Sequence, residues 1–187
     1  ASASVGTNRS IRTEALIKNY MARRADIIVS NEPDLTDRLL KREDSNKKPI
    51  SGSYALSTGE SSFDISTTPT SFGRFDFWTK AVWNRHEDEL ATNTSFLAYV
   101  GVDTLVKEHT VVGILGQMDY VKEVDNTNKS NNATSDWEID GLGFLMGPYI
   151  VSRLRDNLIL DGRVAFGKSY NTIAPYGSAY YSDEFDT

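Results

Sequence analysis

The chain has 187 residues, 26 acidic against 20 basic side chains, a net charge of −6 and a pI of about 5.0. That length gives one domain of ordinary size, or one domain with an appendage. The acidic balance excludes a general nucleic-acid binder, which needs a basic surface against phosphate. The absence of cysteine excludes a disulfide scaffold, a thiolate metal site and a cysteine nucleophile. Two histidines, His86 and His109, are too few for a His-rich metal site. No apolar run approaches the roughly 20 residues of a transmembrane helix. Ala1–Ser4 lacks the basic and apolar regions of a signal peptide, so an exported protein would carry its signal upstream.

In chain order, Ala1–Ser10 reads as a small-residue linker. Arg12–Val29 predicts a helix, with Ala15, Leu16, Tyr20, Ala22, Ile27 and Ile28 as an imperfect apolar stripe. Arg23 and Arg24 read first as a solvated helix face, as charge runs usually are. The functional alternative is a cationic helix in or near an acidic lumen. Ser30–Pro33 stops the helix, because proline cannot continue the ladder and disfavours a helical Glu32. A second helix, Asp34–Arg42, restarts with Leu35, Leu39 and Leu40. Glu43–Pro49 is a charged loop. Ile50–Phe72 is rich in Ser, Thr and Gly, and Tyr54–Leu56 with Phe63–Ile65 hints at a hairpin around Thr58-Gly59.

From Phe75 onward the chain alternates with the period of a strand. Phe75, Phe77, Ala81 and Trp83 share one face of Phe75–Asn84; Asp76, Lys80 and Asn84 share the other. Arg85–Thr92 is a charged joint. In Thr94–Val106, Phe96, Ala98, Val100, Val102 and Val106 oppose Tyr99, Gly101 and Asp103. Lys107–His109 is a tight turn. In Val111–Val121, Val112, Ile114, Met118 and Tyr120 oppose Gln117 and Asp119. Asp125–Ser135 is a long Asn-rich loop. Trp137–Val151 begins with Glu138 and Asp140 inward, then loses its alternation at Gly141–Gly147, which predicts a bulge. In Leu158–Asn171, Leu158, Leu160, Val164 and Phe166 oppose Asp161, Arg163, Ser169 and Asn171. Pro175–Thr187 reads as a Tyr-rich loop.

The fold class is therefore mainly β: an antiparallel meander of about five strands behind a helical segment. The chain divides into a helical lead-in (1–49), a Ser/Thr-rich connector (50–74) and the strand region (75–187). Alternation with one greasy face fits a membrane barrel strand, apolar toward lipid and polar toward the lumen. It also fits a half-buried strand of a soluble sandwich. The joints alternate short and long, as the two ends of an outer-membrane barrel do.

The ordered series Phe75–Trp78, Tyr99–Asp103, Val112–Gly116, Gly143–Tyr149, Leu158–Asn171 and Asp183–Thr187 resembles the autotransporter-type β-barrel domain of Gram-negative outer-membrane proteins. Met21–Ala25 and Pro33–Leu35 resemble the segment leading into such barrels. The resemblance implies an outer-membrane location at the cell surface. It also implies export or display of an N-terminal passenger, and as partners outer-membrane lipid and the barrel-assembly machinery. It implies no cofactor. A helix preceding the barrel typically plugs its lumen, and Arg12–Val29 spans about 27 Å at about 1.5 Å per residue. The family closes about twelve strands around a pore, whereas five are counted here and the smallest membrane barrels need eight. The expectation is a fragment of a longer protein. A soluble sandwich module, or a subunit whose sheet is completed by neighbouring chains, are the alternatives.

Asp103, Asp119, Glu138, Asp140, Asp161 and Arg163 are the candidate lumen-facing charges, with Arg23 and Arg24 on the candidate plug helix. Trp83, Tyr120, Trp137 and Tyr149 are candidate interface aromatics; Trp78 falls on the polar face, where it would pack in the lumen. Nothing fixes two carboxylates at the separation of an acid/base pair, and no nucleophile elbow, P-loop or HExxH is present, so no enzyme is expected. Asp125–Asn132 lacks the Gly and terminal Glu of an EF-hand, so no metal is expected there.

Overall fold

The computed structural model describes residues 2–43, 50–57, 60–67, 70–72, 74–87, 91–125, 137–175 and 183–186. The Asn-rich loop, the charged loop after the second helix and the Thr58-Gly59 turn fall largely or wholly outside these residues. The architecture is one antiparallel sheet with two helices on one face. Helix α1 is Ser2–Ser30 and α2 is Thr36–Glu43. The strands are β1 (Ile50–Ser57), β2 (Glu60–Thr67), β3 (Thr70–Phe72), β4 (Phe75–Glu87), β5 (Ala91–Lys107), β6 (Thr110–Asp125), β7 (Trp137–Arg155), β8 (Leu158–Arg163), β9 (Phe166–Pro175) and β10 (Asp183–Asp186). The sheet runs β1-β2-β4-β5-β6-β7-β9-β10, with β3 added to β4 and β8 to β7. Among the described residues the sheet does not close: β1 pairs only with β2, and β10 only with β9.

Several expectations are corrected. The linker read at Ala1–Ser10 is helical from Ser2, since extending an existing helix is far easier than nucleating one. The hairpin expected in the connector at 50–74 is present as β1 paired with β2 up to Ser57↔Glu60, and it belongs to the sheet, because β2 pairs with β4 from Glu60↔His86 to Ser66↔Lys80. The tail contributes β10, and the charged joint after the first strong strand is mostly strand, so eight strands lie on the main path rather than five. The bulge predicted at Gly141–Gly147 is absent: β6 and β7 stay in one register from Thr110↔Ser152 to Val124↔Glu138. The irregularities lie instead at Leu105/Lys107 and Arg153/Arg155, beside the two tight turns.

Helix α1 ends where its last carbonyls find side-chain donors. Ser30 Oγ donates to Asp26 O (2.7 Å) and Asn31 Nδ2 to Ile27 O (2.8 Å), one residue pair before Pro33. Asp34 Oδ1 then accepts from the Thr36 N–H (2.9 Å), capping α2. Two apolar clusters pin the helices to the sheet. Tyr20, with Leu16, Ile17 and Met21 beside it, packs on Val121, Ile139 and Ile173. Leu35 and Leu39 pack on Trp78, Leu97, Tyr99, Val111 and Val151.

The opposite face carries no helix, and its apolar side chains are exposed: Phe77, Val100, Ile114, Phe144, Met146 and Phe166 among them. The two faces therefore respond differently to truncation. Leu39→Ala is expected to cost about 2–5 kcal/mol, as for a fully buried leucine. Ile114→Ala, on the exposed face, should change stability by less than about 0.5 kcal/mol in detergent. Thermal unfolding followed by far-ultraviolet circular dichroism checks both.

Candidate functional site

The helix-bearing face is the more polar of the two. Leu16, Ile17, Tyr20, Met21, Arg24, Ile27 and Ile28 make the stripe of α1 that meets the sheet, a helical spacing with arginine at its middle. Arg24 is not solvated; it is 3 % exposed. Its Nε and Nη2 donate to Asp119 Oδ2 at 2.8 and 2.6 Å, and its Nη1 donates to Asn171 Oδ1 at 2.5 Å. One turn away the Tyr20 hydroxyl donates to the Val121 carbonyl at 3.0 Å. The half-exposed Arg23 makes a two-pronged bond to Glu123, at 2.8 and 2.5 Å.

Room for this arginine comes from the sheet. Gly141 and Gly143 lie on the same face of β7. A Cβ at Gly141 would overlap Asn171 Oδ1 and crowd the Tyr20 hydroxyl, and one at Gly143 would overlap Arg24 Nη2 and crowd Asp119 Oδ1. The glycines that erase the alternation of this strand are thus a seat for a guanidinium, not a bulge.

A second buried network joins α2 to the sheet. Arg38 Nη2 and Nε donate to Asp103 Oδ2 at 3.0 and 3.1 Å, while the guanidinium lies 4.9 Å from the Trp78 ring. The Tyr149 hydroxyl donates to the same carboxylate oxygen at 2.5 Å and accepts from Trp78 Nε1 at 3.1 Å. Arg163 reaches the Glu32 carboxylate between the helices, and donates to Gln117 Oε1 at 3.3 Å.

Asp103, Asp119 and Arg163 thus lie on the helix-bearing face and bond across it, or along it, to partners that hold the helices. Asp161 shares that face but is exposed on β8. Glu138 and Asp140 lie on the outer face, one residue out of phase with Ile139 and Gly141; Glu138 pairs there with Lys122 at 2.6 Å. Trp137 and Tyr149 turn the other way, toward the helices. Trp83 and Tyr120 stay on the outer face. Arg38 and the Gly141/Gly143 seat were missed. The signal for the seat was an arginine on the apolar stripe with a carboxylate at an inward strand position.

The outer face is ordered in rows by the pairing. Trp83, Phe96, Tyr120 and Leu142 stand side by side on β4 to β7. Next to them, toward one end, is the polar row Arg85, Thr94, Lys122 and Asp140. In the other direction the face is apolar for several rows, through Val100 and Met146 to Val102, Ile114, Pro148 and Val164. It turns polar again at Lys107, Thr110 and Ser152. The apolar surface is not level. On β1 it reaches Leu56, whereas on β9 Lys168 interrupts it and it continues through Phe166 to Leu160 and Leu158 on β8. Lys168 Nζ lies 5.0 Å from the Tyr170 ring.

Among the described residues no helix is long and apolar enough to cross a membrane, and no group of three metal-ligating side chains occurs. Removing one partner of the buried Arg24–Asp119 pair should cost about 3–5 kcal/mol, because the other charge stays buried. In a double-mutant cycle, Arg24→Ala combined with Asp119→Ala is expected to be less destabilised than the two single losses added. Gly143→Ala should cost about 1–3 kcal/mol by overpacking. Denaturant unfolding in detergent reads all of these. The chain matches no known protein family, and no curated protein or solved structure was found to be similar to it.

Proposed function

We propose that the chain is part of an outer-membrane β-barrel translocator or anchor of the autotransporter type, exporting or displaying an N-terminal passenger, with α1 and α2 occupying the lumen. One observation carries this reading: the covered face of the sheet buries charged and amide groups among its apolar clusters, while the uncovered face is the apolar one. A sandwich hides its apolar face and wets the polar one. Here the face against the helices holds Arg24, Arg38, Asp103, Asp119, Gln117 and Asn171, while the face without cover is apolar. Exposed apolar surface of this extent marks contact with a membrane or another protein.

The row order supports lipid. On β5 the apolar outer positions are Phe96, Ala98, Val100 and Val102, with Thr104 next on the same face, against the roughly 9–11 residues a membrane-crossing strand needs. Trp83 and Tyr120 sit at the apolar–polar border, where amphipathic rings favour the headgroup level. Arg85, Lys122, Glu138 and Asp140 lie beyond it, and Lys168, near the border on β9, has a stem long enough to carry its charge outward. In this reading β1 and β10 gain further strands, from the same protein or from neighbouring copies, because unpaired edge groups in lipid cost several kcal/mol each.

The native protein is expected to fractionate with outer membranes and to resist extraction by carbonate. Recovery in the soluble fraction overturns the reading. Val100→Arg, at mid-band on the outer face, should weaken membrane insertion by about 2–4 kcal/mol. Asp161→Arg, on the helix-bearing face, should leave insertion near the parent level. Folding titrations into vesicles measure both.

A further inference from the structure

The outer face carries a groove of about 740 Å³ near the end of the two tight turns. Its walls include Phe75, Val102, Val112, Ile114, Ile150 and Val164. Gly162 opens its floor: a Cβ there would meet nothing within 4 Å. Beyond the groove, toward the turns, the next outer row holds a hydroxyl pair, Thr110 Oγ1 and Ser152 Oγ, 2.9 Å apart on the paired positions of β6 and β7, and continues on β8 with the exposed Leu160. Two exposed cations flank that pair. Lys107 pairs with Thr110 and, because of the irregularity after Leu105, comes to the outer face. Arg155 does so beside Leu158 after the irregularity at Arg153/Arg155. The exposed Glu108 and Asp156 are the next residues after these cations, in the turns, and Asp161 lies on the helix-bearing face.

We propose that this groove is a binding site for one anionic phospholipid, with an acyl chain along the groove and the phosphate between Lys107 and Arg155, accepting from the Thr110 and Ser152 hydroxyls. The inference rests on the membrane reading above and adds to it a specific lipid position. An apolar slot would accept any hydrocarbon; the cations and hydroxyls at one end select a headgroup with negative charge. Lys107 and Arg155 are brought to this face by two separate register irregularities, one on each side of β6. A regular register would have left Lys107 on the helix-bearing face with Leu97, Tyr99 and Asp103.

The test uses the full chain folded into vesicles of phosphatidylcholine with a minor fraction of phosphatidylglycerol. The chain is then extracted in mild detergent, and retained lipid is identified by native mass spectrometry. The parent chain is expected to carry one phosphatidylglycerol in preference to phosphatidylcholine. Lys107→Gln with Arg155→Gln should lower that retention about 30-fold, two basic side chains at a membrane surface being involved. Gly162→Phe, which fills the groove from an open position, should abolish it. Both variants should still float with the vesicles. A parent chain that floats but retains both lipids equally, or retains neither, overturns the phospholipid site and leaves the membrane reading standing. A native protein that stays out of the outer-membrane fraction overturns both. Retention unchanged by Gly162→Phe also overturns the site.

Discussion

The bond between Arg24 and Asp119 is the constraint around which the rest is arranged. A guanidinium that is 3 % exposed in the middle of a helix–sheet contact is tolerable only if every direction it points has an acceptor. Asp119 supplies two bonds and Asn171 a third. The side chains around it must then be small, which is why β7 carries Gly141 and Gly143 opposite the arginine. The pair contributes little net stability against an apolar substitute, but it fixes position. Sliding α1 by one residue along the sheet would separate Arg24 from Asp119 and Arg23 from Glu123 together, leaving charges buried without partners.

The same logic holds at the other end, where Arg38, Asp103, Tyr149 and Trp78 form one connected set. Apolar packing adjoins each network: Tyr20 and its neighbours on α1, Leu35 and Leu39 at α2. Apolar burial supplies the adhesion and the ion pairs supply the register. A helix held in this way remains surrounded by polar sheet positions such as Gln117 and Asn171.

Much of this was legible in the sequence where alternation was clean. The faces of β4, β5, β6 and β8 follow from period two, so Asp103, Asp119 and Arg163 were placed on the right side before any coordinates. β7 was not legible. Three of its inward positions, Gly141, Gly143 and Gly147, are glycines with apolar residues on both faces around them, so the alternation carried no signal there, and Glu138, Asp140 and Trp137 were assigned to the wrong faces. The stripe of α1 was misread for a related reason. Ala15 and Ala22 look apolar but are exposed, while Arg24 looks polar and is buried, because its acceptors are about a hundred residues away in sequence. The hairpin hinted at around Thr58-Gly59 is the β1–β2 pair, but Ser and Gly carry weak strand preference, so its full length and its joining to the sheet were not legible. Its place in the sheet comes from pairing with β4, which local sequence does not encode.

The uneven edge of the apolar surface has a geometric consequence. From Leu56 on β1 to Tyr170 on β9 its upper border drops by one paired row, or about 7 Å along the strands at about 3.4 Å per residue. The same path crosses six strand spacings of about 4.8 Å, roughly 29 Å. A straight line along that border therefore crosses the strands roughly 13° away from square. Lys168 lies just below the line, its ammonium 5.0 Å from the Tyr170 ring, so the border is held by a ring and a cation together.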